Sequence, residues 1–264
     1  VKPEPHIRVG PSGNGFISLL ADDRNAEPPS NLLFNYRLNE RYLYAEAGGR
    51  PLFTNNETNM ERVYGPAAKS ASPFVKDAFH RHIVNGEASV NPLQIGTKAC
   101  IHFPAIRIAP GKSHVLRLRL TDTRLSSPLS DVDAIVAQRR KEADEFYARV
   151  HPSKGTDDEN LVQRQALAGM IWTKQIYLFD VAKWLDGDNP SWPPPASRKA
   201  NRNIHWKHLN SMRILSMPDK WEYPWFAAWD LAFHTLPLTL VDPEFAKEQL
   251  WLMLFEQFQH PNGQ

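Results

Sequence analysis

Residues 218–237 read PDKWEYPWFAAWDLAFHTLP, and the thirteen from Trp221 to Phe233 hold three tryptophans, a tyrosine and two phenylalanines, with Asp230 set between Trp229 and Phe233. Pro224 suits the first turn of a helix, so the stretch predicts a helix from Pro224 to about Leu240, kinked at Pro237. Asp242 and Pro243 then cap a second helix over 243–258. Two readings of the rings stand open. At helical spacing Trp225, Phe226, Trp229 and Phe233 fit a packed face with Asp230 satisfied inside the core. Flat rings beside a carboxylate equally suit a sugar, whose C–H faces stack on indole while its hydroxyls take fixed polar partners. Burial among aromatics then keeps on the carboxyl the proton that glycosidic cleavage needs.

Upstream, residues 186–223 form a long connection containing 192-WPPP-195. Its length inside a compact domain marks it as a candidate functional loop. Before it, a helix over about 157–185 opens on a capping box of Thr156 with Glu159 and stops at Gly187. An earlier helix follows Ser126-Ser127-Pro128, with Val132, Ile135, Val136, Phe146 and Val150 on one stripe and Ser130 with Asp133 as its capping box. Short β-branched and aromatic runs precede it: 16-FISLL-20, 32-LLFNYRL-38 and 41-RYLYAE-46. A hairpin is predicted from 101-IHFPAIRIA-109 and 114-HVLRLRL-120 about Pro110-Gly111-Lys112. Leu116, Leu118 and Leu120 then point one way and Arg117 and Arg119 the other. All eight tryptophans fall between Trp172 and Trp251. The expected division is therefore a β-domain over 1–125, a helical linker over 126–155 and a helical domain over 156–264.

Composition narrows the classes of partner. Lys and Arg number 31 against 29 Asp and Glu, without clustering, so neither nucleic acid nor an anionic membrane is an expected partner. Cys100 is the single cysteine, which suits a reducing compartment, and a cytoplasmic location is expected. The opening VKPEPHIRVG has no signal-like apolar region, and no run approaches the roughly 20 residues of a membrane span. The chain begins at Val1 and ends in the turn-like HPNGQ after a helix, so it is expected to be a segment of a longer protein.

The run Trp229-Asp230-Leu231-Ala232-Phe233-His234 resembles the W-D-x-x-F-H motif of glycoside hydrolase family 63, whose relatives include the processing α-glucosidase I and mannosylglycerate hydrolase. Residues 203–230 resemble the entry to that family's catalytic (α/α)6 barrel, and 77–92 with 96–103 the close of its N-terminal β-domain. The resemblance implies a multidomain β + α fold, an antiparallel β-sandwich followed by the first helices of an (α/α)6 barrel. It implies an inverting α-glycosidase with Asp230 as general acid, Trp225 and Trp229 lining the sugar pocket, and His234 and Glu222 as polar neighbours. Its substrate is a carbohydrate, with no cofactor and no metal. Inversion needs a second carboxylate as base, about 6.5–9.5 Å from the acid. In the family this is a glutamate far downstream, which Glu222, Glu244 and Glu256 do not match. The segment is thus expected to carry half the machinery, to be inactive alone and to associate through apolar faces left open. The alternative is a noncatalytic carbohydrate-binding or scaffold protein of the same fold.

Other motifs read more plainly. His205, His208 and Asp219 lack a closed ligand set for a metal, and 80-HRH-82 reads as polar loop contacts too. Gly10, Gly13 and Gly15 do not have the spacing of a phosphate loop and read as a β-turn. Asn56-Glu57-Thr58 is a glycosylation sequon only in a secreted chain. The three prolines 193–195 read as a stiff spacer over the barrel mouth.

Overall fold

A computed structural model of the chain describes residues 4–27, 36–190, 193–254 and 258–260. Its elements are mixed β and α, with seven α-helices among the described residues. They fall into two compact units, residues 1–140 and 141–264.

The first unit is built on a five-stranded antiparallel sheet. Its strands are β1 (His6–Val9), β2 (Phe16–Asp22), β3 (Glu40–Glu46), β5 (Ile95–Gly96) and β7 (Leu118–Thr121), in the order β5-β1-β2-β3-β7. A second, two-stranded sheet pairs β4 (Arg50–Thr54) with β6 (Lys98–His102). Helices α1 (Met60–Tyr64) and α2 (Ala78–Asn85) lie between β4 and β5 in sequence. The alternation in β2 and β3 puts Phe16, Leu20, Tyr42 and Tyr44 on one face, where Leu125 and Leu129 close over them. Tyr44 is fully buried and keeps its phenol satisfied by accepting the Leu125 N–H at 2.8 Å. Gly96 brings β5 against β4, since a Cβ there would lie 2.2 Å from the Thr54 carbonyl oxygen. The expected glycine turn is present, with reciprocal bonds between Gly13 and Phe16.

At the end of β2, Asp22 binds Arg24 through its backbone N–H, Nε and Nη2 at 3.0, 3.0 and 2.7 Å. The guanidinium hydrogen bond holds the Asp22 carboxyl at about 2, against an ordinary 3.8. A carboxyl depressed on folding stabilises the native state above its unfolded value, and that contribution disappears as pH falls through its folded one. Acid unfolding of the first unit should therefore depend on Asp22 between about pH 4 and 2. In Asp22→Asn, hydrogen-exchange protection of the β2 and β3 amides should be lower at neutral pH and flatter across that window. An unchanged profile counts against the linkage.

Three expectations fail in this unit. The 101–120 hairpin does not form: its turn exists, with Gly111 at φ 71° and Lys112 N–H donating to Ala109 O, but β6 pairs with β4 and β7 with β3. Long-range partners offering whole strands win over the local pairing. Second, the leucines of β7 face water, Leu120 being 69% exposed, while Arg119 pairs with Asp131 and Arg117 with Glu46 and Asp133 at 2.6–2.9 Å. The arginines turn inward because the acidic start of α3 (Val132–Val150) supplies three carboxylate contacts at that edge. Third, the same contacts replace the Ser130–Asp133 capping box: Asp133 accepts from Arg117, and the Ser130 hydroxyl donates to the Ser127 carbonyl. Of the strand expected at 32–38, residues 32–35 lie outside the described residues, and 36–38 are not in a strand.

The second unit contains α4 (Asp157–Trp172), β8 (Lys174–Asp180), α5 (Val181–Asp186), β9 (Asn210–Ser216), α6 (Ala228–Leu238) and α7 (Pro243–Leu254). The Thr156–Glu159 capping box forms as expected. The helix expected over 157–185 is interrupted. After α4, 174-KQIYLFD-180 runs as β8, because it pairs along its whole length with β9 from inside the stretch expected to be a loop. Trp192 of that stretch lies outside the described residues. The α6 helix starts at Ala228 rather than Pro224, since Phe226 is drawn against Phe258, ring centroids 5.3 Å apart. Asp242 opens α7 as expected, accepting the Phe245 N–H at 3.1 Å, and also pairs with Lys174 at the start of β8.

Leu209, Leu215, Leu231, Leu252 and Phe258 form the core between the β8–β9 ribbon and the two last helices. Gln249 of α7, 1% exposed, completes it. Its amide accepts the Ser216 N–H at 3.2 Å and donates to the Ile214 carbonyl at 3.1 Å, standing in for one peptide unit of an absent neighbouring strand. Among the described residues no helix is long and apolar enough to cross a membrane.

Candidate functional site

The end of β9, the turn after it and the first turns of α6 surround a small cleft of about 100 Å³. Ser216 and Leu215 come from the strand and Asp219 from the turn; Trp225 and Phe226 belong to the approach to α6, and Asp230 with His234 to the helix. Asp230 and His234 are four residues apart, hence on one helical face. The position of the turn is set locally: Tyr223 N–H donates to the Asp219 carbonyl at 2.8 Å, and Glu222 N–H donates to its Oδ1 at 3.3 Å. Tyr223 stands edge-on to Trp225, ring centroids 5.6 Å apart.

Of the residues expected at the site, Asp230, Trp225 and His234 are brought together here. Trp229 does not line the cleft; it is 72% exposed and sits edge-on to Phe233 at 6.1 Å. The half-helical turn between Trp229 and His234 separates them, as spacing alone requires. Glu222 is also outside, but it touches the site through Asp219. Their side-chain hydrogen bond, reinforced by the Asp219 charge, pushes the Glu222 carboxyl above its ordinary range. Asp230 is half-buried rather than enclosed by rings, because Trp225 and Trp229 are themselves open to solvent.

Ser216, Asp219 and Tyr223 line the cleft without having been expected there. Asp219 had been weighed only as a metal ligand. Among the described residues no group of three His, Cys, Asp or Glu is arranged to hold a metal. His205 instead stands edge-on to His260, and the His82 ring bonds the Glu87 carbonyl oxygen at the end of α2. A wider groove of about 720 Å³ lies between β9 and α7, but there Glu244 is paired with Lys247 at 2.7 Å and no imidazole lines it.

This chain is similar to a yeast protein. The uncharacterized protein YMR196W of Saccharomyces cerevisiae is 44% identical to it over 225 residues, 81% of this chain and 21% of the yeast protein. The chain thus spans about a fifth of the length of that relative. No family model matches the chain, and no solved structure does.

Proposed function

We propose that this chain is the N-terminal and central segment of an inverting α-glycosidase of the glycoside hydrolase family 63 type, acting on an α-glucoside or a related oligosaccharide. In this reading α4, α6 and α7 are the first helices of an (α/α)6 barrel, and the two antiparallel sheets of the first unit are its β-sandwich. Asp230 gives its proton to the glycosidic oxygen as the bond to the anomeric carbon breaks. A water attacks from the opposite face and passes its proton to a glutamate supplied from outside these 264 residues. The chemistry is acid–base on a C–O bond and calls on no cofactor.

The observation that carries this reading is the grouping of two carboxylates, Asp219 and Asp230, with one imidazole and one indole around a single cleft, all drawn from the Trp-rich stretch. A second reading, a noncatalytic carbohydrate-binding or scaffold protein, is favoured by the size of that cleft. At about 100 Å³ it is below the roughly 300–1,000 Å³ of a whole-ligand pocket. A screen of α-glycosides on the full-length protein, with the product anomer followed by proton NMR, separates the two. Release of the β-anomer supports the glycosidase. Release of the α-anomer refutes inversion, and binding without hydrolysis selects the second reading.

A further inference from the structure

We propose that the cleft beside Asp230 seats the hydroxymethyl arm of a hexopyranoside, with Ser216 and His234 holding its primary hydroxyl and Leu215, Phe226 and Leu231 meeting its methylene. This rests on the carbohydrate reading of the site and assigns to Ser216 and His234 the recognition of the arm that distinguishes a hexoside from a pentoside.

Ser216 is 4% exposed, and its Oγ is buried with no hydrogen-bond partner. The Nδ1 of His234, across the cleft on α6, is likewise buried and without a partner. Buried polar atoms left in this state are costly and uncommon, so two of them lining one cleft mark a place where a partner is meant to arrive. Both are firmly mounted. The backbone of Ser216 lies in register with Lys174 of β8 and donates to Gln249, and His234 stands mid-helix in α6.

The chemistry of the pair selects the guest. A serine hydroxyl can donate or accept and an imidazole nitrogen does one or the other, so an alcohol, itself both donor and acceptor, can satisfy the two at once. Of the remaining walls, Leu215, Met217, Phe226 and Leu231 offer apolar contact to a methylene, while Asp219, Tyr223 and Asp230 bring polar groups to the cleft. Size points the same way: at about 100 Å³ the cleft is well below the roughly 300–1,000 Å³ of a whole-ligand pocket, so it takes an arm of the sugar and leaves the ring outside. The ring itself then lies outside, against the half-exposed face of Trp225 and within reach of Asp230.

The test compares methyl α-glucopyranoside with methyl α-xylopyranoside, which differ only in that arm, by calorimetric or NMR titration of the full-length protein. The glucoside should bind on the order of 100-fold more tightly, the combined effect of two hydrogen bonds and one buried methylene. Ser216→Ala should shrink that ratio to about 20-fold, the share of the His234 bond and the methylene, and leave xyloside affinity unchanged. Ser216→Cys, close in size but a weak donor, serves as a second variant and should act in the same direction. Equal affinity for the two glycosides, or a preference that survives both substitutions undiminished, overturns the proposal while leaving the carbohydrate reading in place; the cleft then holds only water. Failure of both glycosides to bind overturns the two together.

Discussion

Asp230→Asn in the full-length protein is expected to slow hydrolysis of glycosides with poor leaving groups by about 10²- to 10⁴-fold. Asparagine keeps the shape and the place on α6 but has no proton to give to the departing oxygen. An alkoxide leaving unassisted carries the whole penalty. An aryl or fluoride leaving group needs little protonation, so its loss should be several-fold only. The loss belongs in kcat, since the substituted side chain still meets the substrate and KM should move little. Equal and small losses for both classes show that Asp230 is not the acid, and unchanged activity returns the Trp-rich stretch to a packing role. The 264-residue chain by itself is expected to be inactive, because a general acid without its base leaves the water unactivated.

The largest expected effect on stability comes from Gln249. In Gln249→Leu the packing volume is nearly kept, but the Ser216 N–H and the Ile214 carbonyl lose their partner inside the core. Each buried group left unmet costs about 1–3 kcal/mol, so a loss on the order of 2–5 kcal/mol is expected in urea unfolding of the second unit. Gln249→Glu separates shape from chemistry. As a carboxylate it still accepts from Ser216 but turns an anion toward the Ile214 oxygen; protonated, it regains the donor. Burial raises the folded carboxyl above its unfolded value, so the variant is most stable at low pH and loses stability as pH rises through the folded value. A Gln249→Leu protein as stable as the parent refutes the role given to this amide.

What could be read from the sequence was what the chain decides locally. The Thr156–Glu159 box, the Asp242 cap and the strand runs at 16–20 and 41–46 each rest on residues a few positions apart, and each is present. The errors lie where partners are remote. Residues 174–180 look helical in isolation and become a strand through 210–216, thirty or more positions away. The alternation of leucine and arginine over 116–120 was legible, but which face turns inward is decided by carboxylates supplied from 131–133, which draw the arginines in. The site divides in the same way. Asp230, Trp225 and His234 come from one contiguous aromatic stretch, 218–237, and their closeness was legible. Ser216 was not, because nothing about a serine after Leu215 announces that a helix starting five residues past Tyr223 will close over it with an unpartnered imidazole.

The crowding of tryptophan into the second unit also makes the chain its own optical gauge. With the indoles of Trp172, Trp221 and Trp229 facing water, emission excited at the indole edge is already red-shifted while the unit is folded, and the first unit contributes none. Unfolding the second unit then changes the wavelength little, whereas anything that covers those rings moves it to the blue. The shift between this chain at low concentration and the full-length protein therefore measures how much indole the rest of the polypeptide shields. The same shift appearing as the chain is concentrated would report self-association through those faces, with no label attached.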